Sequence, residues 1–525
     1  MHGNSIHGDT NVVKGVGVVN LWQKIKDLLD GDDYIEDKHS QVPLQGFAND
    51  LKYLKSTLGH ALDFVTREFQ LGVTGKRVAV LYIKSLADET KIASEIVLPL
   101  TSLAALIDDP DVRHKPHEAK QVLSASNITE LTDLKQAIDG LLIGHTIVLV
   151  DGLRVALDID SRAKLGRSTT AAEIETTILG SKVAFVEDCE ANLSLIRQGV
   201  HSPKLCIEKF MFGSTDSKRA FLLYIQDLAA PDMISELQER LQAVQVNELK
   251  EINYLQSIIG ISPLSPFPQA VYTERPDRVT GNLLEGRLAI LLDGSPEALV
   301  LPIGFSDLFQ SPADYYNHSL VTVLMRGLRF LGFLLATTLP AAYVAAVTYN
   351  YELLPTSLVF AVASARSGIP IPPIIEALAM VVVVDILQEG ATRLPSKIGQ
   401  TVGVVGGFVL GQAVIQARLV SPLVVIVVAV SVIGSFATPD YRISGLIRLL
   451  RYSLLLASAA LSGIGIAAVW FAVLTHMASI EILGIPYLRP VAPLRLSSMS
   501  DYIFRKPYRG ANPDQSDRLD KEQHL

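Results

Sequence analysis

The chain has 525 residues, carries 46 Lys and Arg against 54 Asp and Glu, and is 49% hydrophobic with only 19% charged residues. That balance excludes an intrinsically disordered, collagen-like or disulfide-scaffold protein, and the length predicts two or three units. A mean hydropathy of +0.32 places a strongly apolar region somewhere, and the charge divides accordingly: residues 320–525 hold 16 Lys and Arg against 11 Asp and Glu, leaving 30 against 43 in residues 1–319.

An acidic front of this kind is a poor partner for nucleic acid, whose phosphates require clustered Lys and Arg. Residues 1–60 read as a partly disordered extension, and Lys14, Lys24, Lys26 and Asp27 interrupt any apolar core of a cleaved signal peptide. Cys189 and Cys206 are too few for a disulfide framework and suggest a reducing compartment.

The soluble half repeats itself. Residues 76–87 (KRVAVLYIKSLA) align with 218–229 (KRAFLLYIQDLA), and 147–152 (IVLVDG) align with 289–294 (AILLDG), both at an offset of 142. One offset kept by two blocks argues for tandem copies of an α/β subdomain, 61–160 and 161–319. In each copy a strand ending at Gly72 or Gly213 leads into the β-rich run. A helix follows (88–107, 232–246), and a final apolar strand closes on the turn pair Asp151-Gly152 or Asp293-Gly294 before strands 153–159 and 297–303. Thr273, Glu274, Arg275, Pro276 and Asp277 read as a structural helix start, with Pro in the first turn and Asp at the positive end of the helix dipole.

Residues 320–490 predict an all-α polytopic membrane domain of about five to six segments, since roughly 20 apolar residues span the hydrocarbon core. Four stretches are free of charge: 330–348, 398–417, 419–437 and 452–475. Between the first two, 353–365 is too short to span and ends in Arg366, Pro370, Pro372 and Pro373, after which 374–387 embeds Glu376 and Asp385. That pattern predicts a half-helix, a break, and a helix with acidic groups, with a re-entrant hairpin as one form. Arg326, Arg329, Arg393, Arg442, Arg448 and Arg451 mark the inside, so the acidic half is expected in the cytoplasm. The tail 491–525, basic and then polar, is expected on the same side, with a return crossing at 480–488.

Gly399, Gly403, Gly407 and Gly411 form one stripe on a helix, for packing within one subunit or around an oligomeric pore with Gln400, Gln412 and Gln416 facing water. Asp385 and Glu389 share a helical face, while Glu376 lies nine residues earlier. Intramembrane carboxylates read as a cation pathway or its gate, or alternatively as ion pairs with Arg393 or Arg366. His114 and His117 read as a solvated loop, and with no GxSxG elbow, P-loop or paired-Cys motif the chain is expected to be neither an enzyme nor a holder of cofactor or metal.

The phrases Pro266-Phe267-Pro268-Gln269, Thr273-Glu274-Arg275-Pro276-Asp277, Asp314-Tyr315-Tyr316, Arg393-Leu394-Pro395, Ile398-Gly399-Gln400-Thr401 and Val405-Gly406-Gly407 resemble, in order, the A subunits of bacterial spore germinant receptors, the GerA family, from about Asp63 to Tyr508. The resemblance implies a subunit of the spore inner membrane that works with B and C partners and forms an oligomeric, nutrient-gated cation channel. A related branch amplifies an ion signal without a nutrient role. The chain departs from the family at Arg167-Ser168-Thr169-Thr170-Ala171-Ala172, where Glu-Pro is usual, and at Asp385-Ile386-Leu387-Gln388-Glu389-Gly390, where a Glu and an Arg-Glu-Ala are usual. A secondary transporter is the other class weighed, and it would show a broken helix in each of two inverted repeats; only one break is legible.

Overall fold

A computed structural model describes residues 42–71, 76–102, 128–163, 172, 175, 180–214, 217–259, 265–394, 406–409, 411–440 and 442–494. The first unit begins with α1 (Phe47–Leu58), followed by β1 (Phe64–Leu71) and β2 (Lys76–Ile83). Helix α2 runs through Glu89–Lys91, a π-helical stretch Ile92–Val97 and Leu98–Ser102. Then come β3 (Ile128–Leu131), α3 (Leu134–Leu142), β4 (Thr146–Val150) and β5 (Ala156–Ile159). The second unit runs α4 (Cys189–Gly199), β6 (Leu205–Phe212), β7 (Lys218–Ile225), α5 (Pro231–Gln242), α6 (Ile252–Ile258), β8 (Val271–Thr273), α7 (Pro276–Leu284), β9 (Leu288–Leu292) and β10 (Ala298–Leu301).

Each unit holds a five-stranded antiparallel sheet, in the orders β1-β2-β4-β5-β3 and β6-β7-β9-β10-β8. The order is the same in both, and the repeated blocks fall at matched places. Leu81 lies in β2 and Leu223 in β7, while Asp151 and Asp293 follow β4 and β9. Successive side chains of a strand point to opposite faces, and both faces of the central strands are covered, which is why β4, β9 and the last six residues of β2 and β7 are almost wholly apolar. In β7, Leu222 and Tyr224 pack toward Met233, Leu237 and Leu255 of α5 and α6. Phe221, Leu223 and Ile225 pack toward Leu193, Ile196, Val279 and Leu283 of α4 and α7. The units meet through Arg197, buried against Asp63 at 2.8 Å, and a bridge between Ala61 and Ile207.

Two 3-10 turns, Phe305–Phe309 and Pro312–Tyr315, lead into α8 (Ser319–Thr348). Next come α9 (Thr356–Arg366), α10 (Pro373–Thr392), helical residues at 406–409 and 411–416, α11 (Pro422–Phe436) and α12 (Ile443–Ser479). Two of these, α8 and α12, are long and apolar enough to cross a membrane. Helix α12 is not one rod. Ser462 has non-helical backbone angles, φ 56° and ψ −138°, and both ends of the helix return to one place: Arg442 reaches the carbonyls of Ala270 and Tyr272, while His476 meets Ser265 at 3.0 Å. A straight helix of 37 residues would hold its ends about 55 Å apart. The turn instead sits at the far end of α8, where Tyr349 donates to the carbonyl of Ala459 and Ser462 contacts Asn350.

The return crossing expected at 480–488 is therefore corrected. That stretch is a small hairpin, β11 (Glu481–Ile482) and β12 (Ile485–Pro486), and the carbonyl of Tyr487 accepts from the Phe305 amide at 2.9 Å. The chain comes back within 463–479, inside a stretch expected to be one span. Residues 480–494 consequently lie on the α/β side. The expected half-helix, break and acidic helix correspond to α9, the Pro370–Pro373 break and α10.

Candidate functional site

Three groups of residues stand out where the α/β units meet the helices and within the helical part. The first is the junction. Asp314, 1% exposed at its side chain, takes a two-pronged contact from Arg329 at 2.7 and 2.9 Å and a third hydrogen bond from Arg326 at 3.3 Å. Both arginines lie on the first turns of α8, so one buried carboxylate fixes that helix to the α/β side. Around it Phe305, Phe309, Phe333 and Trp470 stack edge to face, in one apolar cluster that runs unbroken from β7 and β9 into α8 and α12. Tyr487 is sealed inside this cluster, and burial pushes its hydroxyl pKa up.

The Thr273–Asp277 motif serves the same junction. Helix α7 starts at Pro276, and Arg275, wholly buried, folds back on Asp277 at 2.6 and 3.0 Å. Glu274 accepts from the Glu175 amide at 2.8 Å and the Phe185 amide donates to its carbonyl, while Thr273 and Arg278 contact the Glu175 side chain. Tyr316, just before α8, donates to Asp277 at 3.2 Å. A cavity of about 120 Å³ opens beside it, between α7 and the 3-10 turns. Its charged lining is already paired, Asp277 with Arg275, Arg278 with Glu175, and Arg287 with Asp307.

The second feature is the charge set between α10 and α12. Asp385 accepts from Arg451 at 2.6 Å and from the Tyr452 hydroxyl at 2.6 Å, and lies 3.8 Å from Arg448. Glu389 pairs with Arg393 at 2.9 Å and with Arg448 at 3.6 Å. Two carboxylates thus face three guanidiniums. Glu376 belongs elsewhere: at the far end of the bundle its buried carboxylate meets Arg366 at 2.9 Å and accepts from the Ser421 amide at 3.2 Å, tying the end of α9 to the starts of α10 and α11. The partners of Asp385 are Arg448, Arg451 and Tyr452, which sequence reasoning missed. Their i, i+3, i+4 spacing on an apolar helix was the available signal.

The third is the segment before α11. Gly407 and Gly411 meet nothing: a Cβ at either would find open space. Gln412 and Gln416, exposed, touch each other at 3.5 Å. Gly399, Gln400, Gly403, His114 and His117, and most of the departure at 167–172, lie outside the described residues. Among the described residues a close helix approach is made by Gly332 of α8 and Gly434 of α11: a Cβ on Gly434 would sit 2.6 Å from the Gly332 carbonyl. Among the described residues no group of three or more His, Cys, Asp and Glu is placed to hold a metal.

Comparison with known proteins adds the following. A family model described as Bacillus/Clostridium GerA spore germination protein matches residues 52–515. Spore germination protein GerLA of Bacillus cereus is 34% identical over 87% of this chain and 92% of its own length. Spore germination protein A1 of Bacillus subtilis (strain 168) is 36% identical over 81% of this chain and 87% of its own, and the membrane protein YfkQ of the same strain is 34% identical over 90% and 91%. The N-terminal domain of the A subunit of the Bacillus megaterium spore germinant receptor GerK3 aligns, over 51% of this chain and 100% of that one, with 25% identity and a TM-score of 0.39.

Proposed function

The chain belongs to the GerA family of spore germination proteins, and on that premise we propose that it is the A subunit of a germination receptor in the spore inner membrane, where copies of it assemble into a cation channel. The α/β units and the tail lie on the cytoplasmic, core side. B and C subunits bring the nutrient signal, and the two α/β units descend from one duplicated ancestor.

The observation that carries the channel is the pair Gln412 and Gln416. Both are exposed within a run of apolar residues, beside Gly407 and Gly411, which no other part of the described residues covers. Amides left open to lipid are costly, whereas amides lining a water-filled path between copies are solvated. Small residues beside them permit close approach of a second copy. The carboxylates take a different part. Three arginines against Asp385 and Glu389 leave that site positive, a poor place for a cation to pass. We assign the set to the gate: it clamps α10 to α12, and α12 ends in the same apolar cluster as the second sheet. Glu376 is a tie that holds the break between α9 and α10.

The test is Gln412→Cys and Gln416→Cys in the full chain, in planar bilayers, with a charged thiol reagent. The native Cys189 and Cys206 are buried and stay silent. Potassium current that falls on modification supports the assignment. Modified cysteines with unchanged current overturn it.

A further inference from the structure

Arg489 follows the β11–β12 hairpin and is 8% exposed, and its Nε is shut off from solvent with no hydrogen-bond partner. The other buried arginines of the junction have carboxylates: Arg275 has Asp277, Arg287 has Asp307 and Arg326 has Asp314. Among the described residues Arg489 has none. Its backbone is pinned, the amide donating to the Pro486 carbonyl at 3.2 Å and the carbonyl accepting from Ser306 at 3.2 Å. A largely buried guanidinium without a carboxylate is stabilised by an anion that completes it.

Its position says which anion. The chain has just left the returning limb of α12, and Val491 and Leu494 beside Arg489 are 60% and 64% exposed. Open apolar side chains around an arginine at the foot of an apolar helix fit a membrane–water boundary. From 489 to 509 the sequence adds Arg495, Arg505, Lys506 and Arg509 against Asp501 alone, a charge that favours an anionic leaflet. We propose that Arg489 binds the phosphate of an anionic phospholipid headgroup on the α/β side of the membrane, its planar fork matching two phosphate oxygens. The lipid would fasten the hairpin, and through Tyr487 the apolar cluster, to the leaflet. The inference rests on the membrane reading of the helices.

Native mass spectrometry of the full chain, released from nanodiscs of phosphatidylcholine doped with phosphatidylglycerol, tests it. The expected result is one retained phosphatidylglycerol per chain, with affinity falling roughly tenfold in Arg489→Gln, as for loss of a charged hydrogen bond, and less in Arg489→Lys, which keeps charge but not the fork. Unchanged phosphatidylglycerol retention in Arg489→Gln overturns the site. If that variant does not accumulate, the wild-type chain decides: equal retention of phosphatidylcholine and phosphatidylglycerol overturns it, as does full displacement by millimolar inorganic phosphate, which would make the ligand a free anion. A chain that stays in solution without detergent or lipid sinks the membrane reading as well.

Discussion

Asp385→Asn separates the clamp reading from a carboxylate that merely lines a path. Asp385 is 12% exposed at its side chain and Arg451 3%, and they meet at 2.6 Å. Removing the charge strands a buried guanidinium whose Nε already lacks a partner. Breaking a buried pair from one side costs about 3–5 kcal/mol. Tyr452→Phe removes one hydrogen bond to the same carboxylate, worth about 0.6 kcal/mol and at most about 1.7 inside a membrane bundle. Asp385→Asn combined with Arg451→Gln leaves no uncompensated charge and is expected to recover part of the loss, with coupling of about 1–3 kcal/mol. Reversible unfolding of the full chain in mixed micelles provides the scale, with Trp470 as reporter because it packs on Phe333 between the returning limb of α12 and α8. If Asp385→Asn is as mild as Tyr452→Phe, or the double variant is no better than the single, the clamp reading fails.

Three further outcomes follow from the packing. Gly332→Ala places a Cβ 2.8 Å from that of Ala437 and is expected to cost about 1–3 kcal/mol as overpacking, whereas Gly407→Ala, with open space around it, should leave the unfolding of the single chain unchanged; equal effects would refute the placement of α8 against α11. Asp314→Asn removes the carboxylate that Arg326 and Arg329 share and is expected to destabilise by about 3–5 kcal/mol, with limited proteolysis cutting first between the second α/β unit and α8; a wild-type pattern would refute the junction. Burial pushes the Cys189 thiol up to about 12 from 9.0. Because its folded value is raised, its contribution is fully present below about pH 9 and is lost as pH rises toward 12. Maleimide should therefore label Cys189 only in denaturant, and Cys189→Ala should flatten stability over that alkaline window; labelling of the native chain at neutral pH would contradict its burial.

The sequence displayed what is local and periodic. The runs at 76–87 and 218–229 announced strands, and their 142-residue spacing anticipated the matched positions of Leu81 and Leu223. Strand order was not legible, because β3 and β8 join their sheets beside β5 and β10 through long-range pairing that short, weakly patterned segments do not advertise. The turn in α12 was hidden for a different reason. Residues 443–479 are apolar on both limbs, and Ser462-Gly463 alone marks the reversal, so hydropathy merges the two limbs and leaves the hairpin at 480–488 as the apparent place of return. Arg448 and Arg451 read in the sequence as markers of sidedness, and nothing local shows them as partners of an acid more than sixty residues earlier. The glycine spacing at 407 and 411 is visible in the sequence, but the close pair found among the described residues, Gly332 and Gly434, lies on two helices and has no signature in either alone.

Whether copies of this chain conduct cations is decided by the reversal potential of the purified full chain in a planar bilayer under a potassium chloride gradient. The expected current reverses near the potassium equilibrium value and falls when the introduced thiol of the Gln412→Cys variant is modified. A chain inserted in the bilayer that passes no current, or one whose reversal potential lies near the chloride value, would contradict it.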